Sequence, residues 1–194
     1  MEINRREWLA GLSSLGAGAI LIGCTRTAPT EANEGRKDKA DDEPEVTATE
    51  DLMREHGVLR RALLVYQESA MKLRAGANMP PEPLQKTAKL FRAFGEEYHE
   101  KKLEEVYIFP AVKKAGGVAG SYADVLVAQH QRGREITDFI IAATAGPRLA
   151  AADVKTFTAA LEDLVRMYEH HAAIEDTVVF PAWKETLTAS ALMR

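Results

Sequence analysis

Residues 99–113 read HEKKLEEVYIFPAVK, and residues 170–184 read HHAAIEDTVVFPAWK. In one register His99 faces His170, Glu104 faces Glu175, and Phe109-Pro110-Ala111 faces Phe180-Pro181-Ala182. The chain has five histidines, His56, His99, His130, His170 and His171, and three belong to this repeat. All five fall in stretches that read as helix, because no run alternates apolar and polar residues as a strand would. A histidine and a carboxylate on an apolar helix face are costly to bury unless something neutralises them. A metal ion is the economical explanation, and the repeat points to two related half-sites.

Working outward, the chain divides into four helical stretches. The first runs from about Thr49 to Ala75, with Thr47 and Glu50 placed as a capping box. Gly76-Ala77-Asn78-Met79-Pro80-Pro81 breaks it, and a second stretch runs from about Pro83 to Ala115, stopping at Gly116-Gly117. The third spans about Ser121 to Ala145, closed by Gly146-Pro147, and the fourth runs from about Ala152 to Thr186. Short connections imply antiparallel neighbours, so the expected fold is all-α, an up-down-up-down four-helix bundle over residues 47–188.

Helical phase turns the histidines inward. Leu52, His56, Leu59, Leu63 and Tyr66 share one face, as do Ala123, Leu126, His130, Gly133, Thr137 and Ile140. In the fourth stretch Phe157, Leu161, Leu164, Tyr168, His171, Glu175, Val178 and Ala182 line up, which makes His171 rather than His170 the inner residue. The second stretch is irregular. Phe91, Gly95 and His99 share a face, but Glu104 lies five residues beyond His99 and about 140° off that face in an ideal helix. A π-bulge between them would bring Glu104 back, and such bulges concentrate at functional sites. On this reading the two half-sites have unequal geometry. Glu105, Asp176, Glu96 and Glu97 read as solvated face, and Arg60-Arg61 and Lys101-Lys102 as surface charge.

The candidate ligands are therefore His56, His99, Glu104, His130, His171 and Glu175. Imidazole and carboxylate without thiolate suit iron, manganese or zinc. A closed zinc site needs four ligands, whereas this seam offers six, two of them carboxylates able to bridge, so two metal ions are expected. The ferritin-like pattern needs Glu-x-x-His on two helices. Here Glu96-x-x-His99 occurs once, and Met53, Val127, Met167 and Tyr168 hold that offset before the other histidines.

The order His56, His99 with Glu104, His130, His171 with Glu175 resembles the hemerythrin-like, or HHE cation-binding, family. Local wording matches too, in Arg54-Glu55-His56, Gln129-His130-Gln131 and the run from His171 to Thr177 before Phe180-Pro181. The resemblance covers about residues 50–186. It implies a non-haem di-iron centre of two iron ions, with the histidines as terminal ligands and Glu104 and Glu175 as bridges; zinc or manganese is the less favoured occupant. Oxygen-carrying members place two histidines one turn apart on the third helix, whereas Arg134 stands four residues after His130. Glu135, Glu100, His170 or water are the candidates for that gap.

The first 24 residues look like an export signal. Asn4-Arg5-Arg6-Glu7-Trp8-Leu9 resembles a twin-arginine motif, and the apolar run that follows is too short for a span of roughly 20 residues. It ends in Leu21-Ile22-Gly23-Cys24, which resembles a lipobox whose cysteine becomes lipidated. Residues 25–46 are poor in large apolar side chains and read as a disordered tether. Cys24 is the single cysteine, so no intrachain disulfide or thiolate cluster forms. The net charge of −4, with no basic stripe, argues against nucleic acid. The expected protein is thus an exported, lipid-anchored envelope protein that binds or senses oxygen, nitric oxide or peroxide. An oxidase or peroxidase and a metal-sequestering protein are the alternatives, with ligand binding preferred over catalysis because no separate acid–base pair is evident.

Overall fold

The computed structural model describes residues 46–149 and 154–187. The expected signal segment, its cysteine and the tether lie outside the described residues. Helix α1 is Ala48–Arg74, and its N-terminus carries the expected capping box. Thr47 Oγ1 accepts the Glu50 amide at 3.3 Å, and the Thr47 amide donates to Glu50 Oε2 at 2.9 Å. Helix α2 is one continuous rod over residues 81–115, made of α-helix Pro81–Leu90, π-helix Phe91–Ile108 and α-helix Phe109–Ala115. Helix α3 is Gly117–Ala143. Helix α4 spans residues 154–186 as α-helix Val154–Ile174, a π-turn Glu175–Val179 and α-helix Phe180–Thr186. No strand occurs among the described residues.

The turn from α2 into α3 is two residues of positive φ, Gly116 at 79° and Gly117 at 69°, which side chains other than glycine adopt only with strain. Gly120 then lies so close to α2 that a Cβ there would meet the Val112 carbonyl oxygen at 2.9 Å.

Two apolar clusters fix the chain direction. One joins the start of α1 and of α3 to the ends of α2 and α4, through Leu52, Leu126, Phe109 and Phe180. The other joins the opposite ends, through Leu73, Leu84, Ile140 and Phe157. That pairing is possible only if neighbours run antiparallel, giving the up-down-up-down bundle in which α1 and α3 each pack on α2 and α4. Each large apolar side chain so buried contributes roughly 1.5–3 kcal/mol. Between the two clusters lies a layer of buried histidine and glutamate. No described helix is long and apolar enough to cross a membrane.

Candidate metal centre

All six predicted residues converge in that layer. His56, His99, His130, His171, Glu104 and Glu175 are each at most 3% exposed. His170 and Glu135 face solvent and do not take part, and Glu135 pairs with Arg132 instead.

The imidazoles meet in two pairs. His56 Nε2 and His99 Nε2 are 3.0 Å apart, and so are His130 Nε2 and His171 Nε2. Each carboxylate spans both pairs. Glu104 places Oε1 3.3 Å from His99 Nε2 and Oε2 3.2 Å from His130 Nε2. Glu175 places Oε2 3.4 Å from His56 Nε2 and Oε1 3.0 Å from His171 Nε2. Each half-site therefore collects two imidazole nitrogens and one oxygen from each carboxylate.

The outer nitrogen of every ring is already committed. Nδ1–H of His56 donates to Asp176 at 2.7 Å, that of His99 to Glu55 at 2.8 Å, that of His130 to Glu105 at 2.8 Å, and that of His171 to the Gln129 amide oxygen at 2.9 Å. An oxygen acceptor on Nδ1 fixes the tautomer and leaves the Nε2 lone pair pointing inward. Two such lone pairs at 3.0 Å repel unless a positive charge, a proton or a metal ion, lies between them. The four oxygens of Glu104 and Glu175 are likewise buried without a hydrogen-bond partner, at a cost of about 1–3 kcal/mol or more for each group.

The donor spacing fits a metal. Bonds of about 2.1 Å put neighbouring ligand atoms about 3.0 Å apart in an octahedron and about 3.4 Å apart in a tetrahedron. The distances across these half-sites run from 3.0 to 3.4 Å. With the pockets holding protons only, the charges are strongly coupled. Burial depresses His130, but Glu104 and Glu105 overcome it and raise the imidazole to about 10. Burial likewise opposes ionisation of Glu104, yet the His99 and His130 rings hold its carboxyl well below the usual range.

The expected bulge is present, and it is larger than predicted. The Phe109 amide bonds to the Glu104 carbonyl, five residues back, and the Phe180 amide bonds to the Glu175 carbonyl in the same way. Pro110 and Pro181 follow at once; each lacks an amide hydrogen and clashes with the carbonyl four residues back, which disfavours the ordinary α ladder there. Both copies close in this way after the glutamate, but only the first has π-helix between histidine and glutamate; His171 and Glu175 are joined through α-helix, so the two copies differ as expected. The phenylalanines then stack on the ligand rings, Phe180 on His56 at 5.3 Å and Phe109 on His130 at 5.5 Å.

The symmetry extends outward. Arg60 pairs with Asp176, and Arg134 pairs with Glu105. Glu55-His56-x-x-x-Arg60 in α1 thus answers Gln129-His130-x-x-x-Arg134 in α3. Sequence reading missed these partners: Glu105 and Asp176 are half-buried acceptors for histidine rather than solvated charges, and Arg60 anchors Asp176 rather than standing as free surface charge. Each acid directly follows a ligand glutamate, but the ring it serves lies on another helix, which local sequence does not reveal. Of the candidates for the gap beside His130, Glu100 is buried nearby, but it accepts from the Tyr168 hydroxyl and from Arg134.

Among the described residues three groupings of ligand atoms could hold an ion: Glu104, His130, His171 and Glu175; His56, His99 and Glu104; and Glu100, Glu105 and His130. Arg134 contacts both acids of the last, which disfavours a cation there.

Residues 47–183 match the family model of the hemerythrin HHE cation binding domain. Uncharacterized proteins of Mycobacterium bovis and Mycobacterium tuberculosis are each 42% identical over 188 residues, covering 95% of this chain and 72% of the relative. No solved structure matches. With its His and Glu cluster fitting a metal site inside a four-helix bundle, the chain belongs to the hemerythrin HHE cation-binding family.

Proposed function

We propose that the layer holds two iron ions and that the protein uses them to bind or sense a small molecule, namely oxygen, nitric oxide or a peroxide. One ion would be held by His56 and His99 and the other by His130 and His171, with Glu104 and Glu175 each offering one oxygen to either pair. The observation that carries this reading is the pair of facing Nε2 atoms, each ring with its Nδ1–H already donated to an oxygen. When bound, iron supplies reversible redox change and coordination positions beyond those the protein fills.

The chain's own residues do the rest. Asp176, Glu55, Glu105 and Gln129 hold the rings in register. Phe109 and Phe180 wall the layer on the side of the apolar cluster they belong to. Binding is favoured over catalysis because the buried acids beside the layer are occupied, Glu55 by His99 and Glu100 by Tyr168 and Arg134. Export by the twin-arginine route and anchoring through a lipidated Cys24 complete the proposal, resting on the motifs of residues 4–9 and 21–24.

The test is spectroscopic. Iron-loaded, reduced protein should change its absorption spectrum on exposure to oxygen or nitric oxide, with a stoichiometry near one small molecule per chain. A fully loaded protein whose spectrum is indifferent to oxygen, nitric oxide and peroxide would remove the sensing function. Turnover of hydrogen peroxide at many equivalents per iron would replace it with a peroxidase.

A further inference from the structure

The acceptors around the histidine layer are less symmetric than the layer itself. Glu55 directly precedes His56 in α1 and Gln129 directly precedes His130 in α3, so the two hold the same place in the bundle. Each serves a ring on another helix. Glu55 Oε2 accepts from Nδ1–H of His99 at 2.8 Å, and Gln129 Oε1 accepts from Nδ1–H of His171 at 2.9 Å. The geometry is alike, but one acceptor is a carboxylate and the other a neutral amide. A carboxylate accepts through a charge-assisted bond roughly twice as strong, and it makes the inward Nε2 a better donor to a metal ion. Glu55 is also buried, so water does little to screen it.

The second pair of acceptors differs in the same direction. Asp176 gives Oδ1 to His56 and turns Oδ2 to Arg60, so each partner has an oxygen of its own. Glu105 gives Oε1 to His130 and the same oxygen to Arg134. A guanidinium on the accepting oxygen draws off the charge that would otherwise polarise the ring. The Arg134 side chain is 12% exposed against 44% for Arg60, so its charge is the less screened of the two. Both rings of the His130–His171 half therefore face the poorer acceptor.

Other buried acids on α2 do not restore the balance. Glu100 lies near His130 and His171, but one of its oxygens takes the Tyr168 hydroxyl and the other takes Arg134. Glu96 reads in the sequence as solvated face; the structure corrects this, burying it with Arg92 Nη1 3.0 Å from its Oε2. We propose that the acceptors make the half-sites unequal in affinity: His56 and His99 hold the first metal ion, and His130 and His171 hold a second, more weakly bound one. Glu55 and Gln129 are the positioning residues that set the difference. This inference rests on the two-ion reading above and adds an order of filling to it. When metal is scarce the His56–His99 half keeps its ion, and the ion at His130 and His171 is the one that exchanges.

The test uses the metal-free full chain and ferrous iron, handled without oxygen. Two ions sharing Glu104 and Glu175 repel each other, so the location of the first ion decides, rather than stepwise filling alone. Crystals grown with one equivalent of iron should show anomalous density chiefly between His56 and His99. In Glu55→Gln that density should spread over both half-sites. Gln129→Glu should tighten the weaker binding step by about 10-fold, read by competition with a chromophoric chelator. A gain of affinity is not what damage to the fold would produce. First density between His130 and His171, equal density in the wild type, or wild-type affinities in Gln129→Glu would each overturn the proposal. Equal density with two ions at saturation would overturn it alone, whereas a single ion at saturation would remove the two-ion reading with it.

Discussion

Glu104 faces Glu175 across the bundle, and each sends one oxygen to the His56–His99 pair and the other to the His130–His171 pair. That crossing makes the two half-sites one unit, since neither is complete without both glutamates. Removing a glutamate and removing a histidine should therefore differ in kind. Glu104→Ala or Glu175→Ala takes a donor from both half-sites and should abolish metal binding at both. His56→Ala or His171→Ala takes a donor from one and should cost chiefly that ion. Metal analysis of each purified variant checks this. Loss of the metal should also lower the melting temperature, because a ligand at 100 times its Kd stabilises by about 2.7 kcal/mol.

The outer acceptors should matter nearly as much as the ligands. Asp176→Ala frees the Nδ1–H of His56, and Glu105→Ala frees that of His130. Each should weaken metal binding by about 10- to 100-fold, measured by competition with a chromophoric chelator. Glu135→Ala, which removes a surface pair with Arg132, should leave affinity unchanged. Equal affinity in all three variants would remove the positioning role.

The prolines of the repeat should be felt at the glutamates. Pro110→Ala restores an amide where the helix now closes five residues back, through the Phe109 amide and the Glu104 carbonyl. An ordinary α ladder would turn Glu104 off the inner face. The expected outcome is a helical, folded protein by circular dichroism with weakened metal binding. Wild-type affinity in this variant would show that the π segment is held by the layer rather than by the proline.

Glu96 gives the stability a pH dependence with a definite sign. Its carboxyl is raised from 4.5 to about 7 in the folded chain, so the folded state binds the extra proton between those values. Its contribution to stability is fully present at and below pH 4.5 and is lost as pH rises toward about 7. Urea titrations across that window should show a smaller decline for Glu96→Gln than for the wild type. Parallel profiles would mean that Glu96 stays ionised against Arg92.

How much was legible in the sequence follows from what periodicity can report. Tyr66, Leu126, Ile140 and Phe157 sit on faces set by α-helical phase, and all are buried as that phase requires. The capping box at Thr47 was readable because it depends only on two residues three apart, Thr47 and Glu50. Glu104 was recoverable only through its in-phase partner Glu175, since its own position is off-face in an ideal helix. The acceptors Asp176, Glu105, Glu55 and Gln129 were not legible, because each acts across helices on a ring from another part of the chain. Glu96 was misplaced for a related reason. The 18-residue π segment Phe91–Ile108 shifts the inner face, and α-helical phase cannot register the shift.

The central claim is that eight inward donor atoms, four nitrogens and four carboxylate oxygens, hold a pair of iron ions. Metal analysis of protein purified without chelators, joined to its Mössbauer spectrum, tests this most directly. The account predicts two irons per chain and a spectrum of magnetically coupled iron. One zinc per chain, or a single isolated iron, would contradict it.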